Sequence, residues 1–152
     1  MSAYNQTLTC ACAFAAEGRI EEWIHTYLCS DGHNKPFSDG LKLAKRFYIG
    51  PVQMPLALFR RCCGPEEDMK WRTDAESFRR HVAFLETAVQ NNADLPPLLI
   101  QYSSDGFTLT DGNHRWEAYH RIGLETCSVI VWGTGKADEA AFRLAYEAYL
   151  KN

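Results

Sequence analysis

Apolar residues recur at three- or four-residue steps in four segments of the chain, and this spacing predicts four amphipathic helices. The predicted helices cover residues 17–28, 75–90, 116–123 and 137–150. Thr73 and Glu76 have the spacing of a capping box, so they are predicted to open the second helix. Gly123 suits the left-handed residue that ends many helices, so the third helix is predicted to stop there.

Short apolar runs between turn-forming residues predict the strands. Residues 98–100 and 107–110 are predicted to form a hairpin through the turn at 104–106, and residues 127–132 form a further strand. Residues 30–40 hold two Asp-Gly pairs, an asparagine and a proline, so they are predicted to form a loop. Together these elements predict one small α/β (α+β) domain with a mixed sheet and flanking helices.

The junction between the strand at 107–110 and the following helix carries the most informative chemistry. Its residues are Asp111, Gly112, Asn113, His114 and Arg115. A helix N-terminus has backbone N–H groups without intrahelical partners and a partly positive dipole end. Gly112 lets the backbone approach a ligand closely, and His114 and Arg115 add side-chain donors. The pattern indicates a phosphate site, but it equally allows Asp111 to cap the helix and Arg115 to pair with a carboxylate.

The run from Asp111 to Trp116 resembles the D-G-x-H-R motif of the ParB/sulfiredoxin superfamily. That superfamily includes the N-terminal domains of ParB partition proteins, sulfiredoxins and free serine kinases. Residues 52–56 resemble its first strand, and residues 75–90 and 97–102 resemble the elements before the motif. The resemblance implies a ParB/sulfiredoxin-like core at 48–132, a helical extension at 1–47 and a C-terminal helix at 133–152.

The resemblance also implies a role for the motif residues. In these families the motif holds nucleotide phosphates, which implies phosphate binding by Gly112, Asn113, His114 and Arg115. Asn113 stands where sulfiredoxins carry their nucleophilic cysteine, so sulfiredoxin activity is not expected. About twenty residues follow Trp132, which is too few for the DNA-reading domain that ParB proteins append.

Free serine kinases match the motif best, and they place a catalytic glutamate after the first strand, just beyond a proline. Glu67 stands in that place, with Glu66 as its neighbour, so the resemblance implies Glu67 as the base for the acceptor hydroxyl. It also implies catalytic roles for Asp111 and His114, with Asp111 as a candidate Mg²⁺ ligand. Without the resemblance, Glu66, Glu67 and Asp68 indicate only a solvated acidic loop.

The charge, the apolar runs and the cysteines of the chain limit the classes of partner that we expect. The formal charge is −3 and no long basic run occurs, which argues against nucleic acid as the main partner. No apolar run is long enough to span a membrane. The six cysteines lack the paired spacing of a zinc site, so a reducing cytoplasm is the simplest expectation. Cys10, Cys12, His25 and His33 remain an alternative, irregularly spaced metal site.

Two hypotheses from different classes follow. The first is a nucleotide-binding phosphotransferase that uses ATP or ADP, or else CTP, together with Mg²⁺, and acts on a small hydroxylated metabolite such as free serine. The second is a non-catalytic ParB-like regulatory module, or a weak nucleotide hydrolase, that acts through a partner. A ParB-like nuclease would need a basic surface that the charge balance does not provide.

Overall fold

A four-stranded mixed sheet lies at the centre of the fold, and helices pack against both of its faces. The structure is a computed structural model that describes residues 1–151. In chain order the helices are α1 (Leu8–Ala16), α2 (Ile20–Cys29), α3 (Lys35–Leu41), α4 (Ala75–Gln90), α5 (Asn113–Ile122), α6 (Lys136–Ala145) and α7 (Glu147–Leu150). The strands are β1 (Arg46–Pro55), β2 (Cys63–Gly64), β3 (Trp71–Arg72), β4 (Leu98–Ser103), β5 (Gly106–Asp111) and β6 (Thr126–Thr134).

The order of the main sheet is β1-β6-β4-β5, while β2 and β3 form a separate parallel pair. β6 runs parallel to β4, and the other neighbours in the main sheet are antiparallel. The β4–β5 hairpin sets β5 at the edge of the sheet, and β5 leads directly into α5. This edge carries the Asp111 junction.

Alternating side chains bury both faces of the two central strands. On one face, Ile100 and Val131 pack in the same cluster as Phe142 of α6. On the other face, Leu99 and Ile130 pack in the cluster formed by α1, α2 and α3. Strands buried on both faces have near-continuous apolar sequences, as these two strands do. The mixed sheet with flanking helices confirms the predicted fold class.

Two expectations for the N-terminal part were wrong. The segment 30–40 is not all loop, because α3 begins at Lys35 and the Asn34 side chain caps it by accepting from the Phe37 N–H. Pro36 lies in the first turn, where its missing N–H has no intrahelical role. The helix predicted at 17–28 begins only at Ile20, because Gly18 (φ 73°) ends the preceding helix. That preceding helix, α1, is apolar around most of its surface and therefore gives no amphipathic pattern.

Other boundaries also differ from the sequence pattern. α4 is capped by Asp74, whose carboxylate accepts from the Ser77 N–H at 2.8 Å, rather than by Thr73. The helix predicted at 137–150 divides at Tyr146, which has non-helical φ and ψ of −119° and 25°. Within residues 1–151, no helix has the length and apolar character needed to cross a membrane.

Candidate functional site

The Asp111 junction forms a tight turn between β5 and α5. Gly112 occupies the N-cap position of α5 with φ 102°, a left-handed conformation that favours glycine. Glycine has no side chain that can accept from the first N–H groups of the helix. Thr7, Asn34 and Asp74 cap their own helices with a side-chain oxygen, whereas α5 is among the helices without a side-chain cap, as are α2, α6 and α7. The N-terminus of α5 therefore keeps backbone donors for another acceptor.

A cleft of about 750 Å³ opens over this turn. One wall is α4, which contributes His81, Phe84 and Leu85. The opposite wall comes from α2 and the loop after it, through Tyr27 and residues 31–34. Residues 94–96, Cys63 and the motif residues 110–115 complete the lining. The cleft therefore joins the N-terminal helices to the motif.

Arg115 is held at the base of the cleft by three oxygens. Its guanidinium donates to the Asp111 carboxylate at 3.2 Å, to the Tyr27 hydroxyl at 3.1 Å and to the Pro97 carbonyl at 3.2 Å. The Tyr27 hydroxyl in turn donates to Asp111 at 3.1 Å. Among residues 1–151, the buried Nε of Arg115 has no hydrogen-bond partner. Arg115 thus does pair with a carboxylate, yet it retains an unsatisfied donor.

Tyr27 is buried within this arrangement. Its ring stacks on Trp23, with centroids 5.1 Å apart and planes 5° apart. Burial raises the pKa of Tyr27 to about 12, so the hydroxyl keeps its proton and remains a donor at neutral pH. Its position on the helical stripe 20–28 indicated only a core residue, and the sequence carries no signal for its contact with a motif more than eighty residues away.

His114 belongs to a cluster of tilted rings rather than to a cationic surface. Its ring centroid lies 4.1 Å from that of His81 and 4.9 Å from that of Phe78. Burial lowers the pKa of His114 to about 4, with further lowering by His81, Arg115 and Arg61. His114 is therefore neutral at physiological pH and can offer one N–H donor to a ligand. His81 gave no partner signal in the sequence because it lies between the apolar positions of α4.

The Asn113 side chain makes hydrogen bonds to a neighbouring loop, and its role in phosphate binding stays a prediction. It is 8% exposed, and its Oδ1 accepts from the backbone N–H groups of Cys62 (2.8 Å) and Cys63 (3.1 Å). Asn113 thereby fixes the loop after β1 against the start of α5. Oδ1 is therefore occupied by these two bonds, while the side-chain Nδ2 and the backbone N–H are the donors that Asn113 can offer to a ligand.

The proposed catalytic glutamate lies outside the cleft lining. Glu67 is exposed, whereas its neighbour Glu66 pairs with Arg61 at 2.6 Å. Arg61 also pairs with the buried Glu117 of α5 at 2.9 Å, so Glu66 belongs to an ion-pair network. The role of Glu67 as a base stays a prediction.

The charges around the cleft are mixed. Arg115 is its one permanently charged cation, whereas Asp31, Asp94 and Asp111 are carboxylates. In the described part of the chain, no three His, Cys, Asp or Glu side chains group as a metal site. This finding covers both Asp111 and the alternative set at Cys10, Cys12, His25 and His33.

The model of the ParB N-terminal domain matches residues 71–147, which is half of the chain. The chain belongs to the ParB N-terminal domain family. This family match begins at β3 and includes α4, the motif and α5. It confirms the resemblance that the motif suggested. The N-terminal helices, including Tyr27 and the loop 31–34, lie outside the ParB match.

Solved structures of three kinds of protein are similar to this ParB-family chain. Sulfiredoxin from Arabidopsis thaliana is 19% identical, with 64% of this chain and 97% of that chain covered and a TM-score of 0.43. Truncated ParB from Caulobacter crescentus complexed with CTP-gamma-S is 21% identical, with 66% and 53% covered and a TM-score of 0.43. A mutant free serine kinase in complex with AMP is 17% identical, with 57% and 31% covered and a TM-score of 0.38.

The chain spans about half the length of that ParB structure and about a third of the kinase. No curated protein matches the chain.

Proposed function

We propose that this chain binds a nucleotide, with the phosphates at the N-terminus of α5. The observation that carries the proposal is the glycine-capped helix end beside Arg115, whose buried Nε has no partner within residues 1–151. Unpaired backbone N–H groups and a guanidinium are the donors that proteins direct at phosphate oxygens. ParB bound to CTP-gamma-S and free serine kinase bound to AMP support a nucleotide as the class of ligand.

The residues around the turn fit an anionic ligand in distinct ways. The N–H groups after Gly112 and the neutral His114 supply hydrogen bonds, and Arg115 supplies charge. A ligand oxygen at the base of the cleft would supply the acceptor that the Arg115 Nε lacks within residues 1–151. The three carboxylates of the cleft would repel a bare triphosphate, so we infer that the nucleotide enters with Mg²⁺. Asp111 is then one protein ligand to a metal held mainly by phosphates.

Phosphoryl transfer to a small hydroxylated metabolite such as free serine is the activity that we propose for this site. Such a transfer needs in-line positioning and charge stabilisation more than covalent chemistry. Arg115 and His114 supply the stabilisation, and a carboxylate must take the proton of the acceptor hydroxyl. Glu67 holds that role by resemblance, and its loop would have to move to bring the carboxylate into the cleft.

The position of Glu67 favours one alternative. With the glutamate exposed outside the cleft, the same site serves a regulatory nucleotide-binding module that lacks catalysis or hydrolyses its ligand slowly. Such a module changes its affinity for a partner when the nucleotide binds.

Calorimetric titration with ATP, ADP and CTP in the presence of Mg²⁺ tests the binding site. We expect saturable binding of at least one nucleotide, and a loss of about tenfold or more in affinity for Arg115→Ala. Arg115→Lys keeps a charge but loses the fork of donors, so it should bind with intermediate affinity. Arg143→Ala, which removes an exposed arginine of α6, is the matched control. Wild-type protein that binds none of the three nucleotides would refute the proposal.

The kinase step has its own test. Incubation with ATP, Mg²⁺ and serine should yield phosphoserine, and Glu67→Gln should abolish turnover while nucleotide binding stays intact. Full turnover by Glu67→Gln would show that another group is the base. Nucleotide binding without any phosphorylated small product would favour the regulatory module.

A further inference from the structure

Phe84 is an exposed aromatic side chain in a wall of the cleft. It lies on α4 and is 70% exposed. Within residues 1–151, it is the one large apolar side chain of such exposure that lines the cleft. Most large aromatic rings of this chain are packed, so an open ring facing a cavity marks a surface suited to a ligand.

Three apolar residues, Leu85, Leu95 and Pro96, line the same cleft as Phe84, together with the carboxylate of Asp94. Leu85 packs α4 against α5. His81 precedes Phe84 by three residues, so the two rings lie on the same face of α4, about 4.5 Å apart along the helix axis. This face of the helix is therefore an aromatic and apolar surface.

The same face connects to the phosphate end of the cleft. The ring of His81 contacts that of His114, the second residue of α5, with a tilt of 30° between their planes. Phe84 lies one further turn along α4 from this contact. The cleft thus has hydrogen-bond donors and a guanidinium at one end and an open aromatic ring beyond them. A nucleotide has its groups in the same arrangement, with charged phosphates at one end and a flat aromatic base at the other.

We propose that Phe84 forms the base subsite of this cleft, where its ring stacks on the nucleobase of a nucleotide whose phosphates lie at α5. The inference rests on the proposed function and adds to it the residue that holds the base. Aromatic side chains bind bases by stacking, and every base has a flat face, so this contact raises affinity for purines and pyrimidines alike.

Two probes separate the base contact from the phosphate contact. Each nucleotide that binds the wild type is titrated in parallel with inorganic tripolyphosphate, which carries the charge but no base. Phe84→Ala should weaken nucleotide binding about tenfold and leave tripolyphosphate binding unchanged. Leu144→Ala, which removes an exposed apolar side chain of α6 outside the cleft, should change neither.

Phe84→Trp provides the conservative replacement and a spectroscopic signal. It should bind nucleotide at least as well as the wild type, because indole offers a larger stacking surface. Its additional fluorescence, relative to the four native tryptophans, should be quenched by nucleotide and not by tripolyphosphate.

The outcomes distinguish this inference from the proposed function. If the wild type binds nucleotide and Phe84→Ala binds it equally well, the base subsite is wrong and the nucleotide site stands. If Phe84→Ala weakens nucleotide and tripolyphosphate to the same extent, Phe84 shapes the phosphate end and the inference is again overturned. If the wild type binds no nucleotide, both proposals fail.

Discussion

Gly112 combines two constraints at one residue. Its φ of 102° strains any L side chain, and a Cβ atom there would meet Leu98 and the guanidinium of Arg115. Gly106 has a similar φ of 108° but open space around the Cβ position. Substituting each of these two glycines therefore distinguishes the cost of the backbone conformation from the cost of a steric clash at the motif turn.

We expect Gly106→Ala to lower the free energy of unfolding by about 1 kcal/mol, from the left-handed backbone alone. Gly112→Ala should lower it by about 1–3 kcal/mol more, because Leu98 and Arg115 must shift. Urea unfolding measures both values. Equal losses in the two variants would show that the Gly112 turn has room for a side chain.

The partly buried imidazole of His114 makes the free energy of unfolding depend on pH. Its folded pKa is about 4, whereas an unfolded histidine titrates near about 6.5. Between these values the unfolded chain binds a proton that the folded chain excludes. The free energy of unfolding therefore has its full value above about pH 6.5, and it decreases as the pH falls toward about 4.

His114→Gln should therefore flatten the fall in stability between pH 7 and pH 5, by roughly 1 kcal/mol after allowance for solvent screening. Thermal melting of wild type and variant at several pH values measures the difference. His120→Gln, on the exposed side of the same helix, is the control. A variant that loses stability in parallel with the wild type would show that His114 takes up no proton in this range.

At the scale of elements, α2 contributes directly to the candidate site. Tyr27 reaches from α2 to both Asp111 and Arg115, and so joins the N-terminal helices to the motif. The hydroxyl is one of the three oxygens that orient the guanidinium. α2, which lies outside the family match, therefore helps to position Arg115, the side chain that we propose binds the ligand.

Tyr27→Phe should lower the free energy of unfolding by about 1 kcal/mol, since two hydrogen bonds share the hydroxyl. It should also weaken nucleotide binding several-fold in calorimetry, because Arg115 loses a fixed partner. Tyr48→Phe, whose hydroxyl makes no hydrogen bond within the described residues, is the matched control. Unchanged affinity in a destabilised Tyr27→Phe would limit Tyr27 to a packing role.

The sequence pattern predicted elements well where one face is apolar and one polar. α4 has this pattern, and its predicted bounds at 75–90 match the structure. α1 is apolar around most of its surface, and α3 is short and carries glycine and proline, so neither has a periodic signal. Their stability comes from packing on the sheet and from the caps Thr7 and Asn34.

For the whole molecule, the sequence predicted the fold class and the motif turn but not the surroundings of the turn. The Gly112 turn follows from local pattern, whereas α5 begins at Asn113, three residues before the predicted start at 116. The contacts of Tyr27 with Arg115 and of His81 with His114 join distant segments of the chain, and no local pattern reports such pairs. The contact of the Asn113 Oδ1 with the Cys62 N–H is another such long-range pair, and the ligand role that the resemblance implies for Asn113 stays a prediction.

The burial of the sheet on both faces has a thermodynamic consequence. The cluster that covers Leu99 and Ile130 with the N-terminal helices also holds Tyr27, so the same packing completes the sheet and builds one wall of the cleft. A ligand that contacts both walls resists any local opening that lifts these helices from the sheet. Ligand binding in the cleft should therefore slow hydrogen exchange at the backbone amides of the N-terminal helices. These helices lie outside the family match.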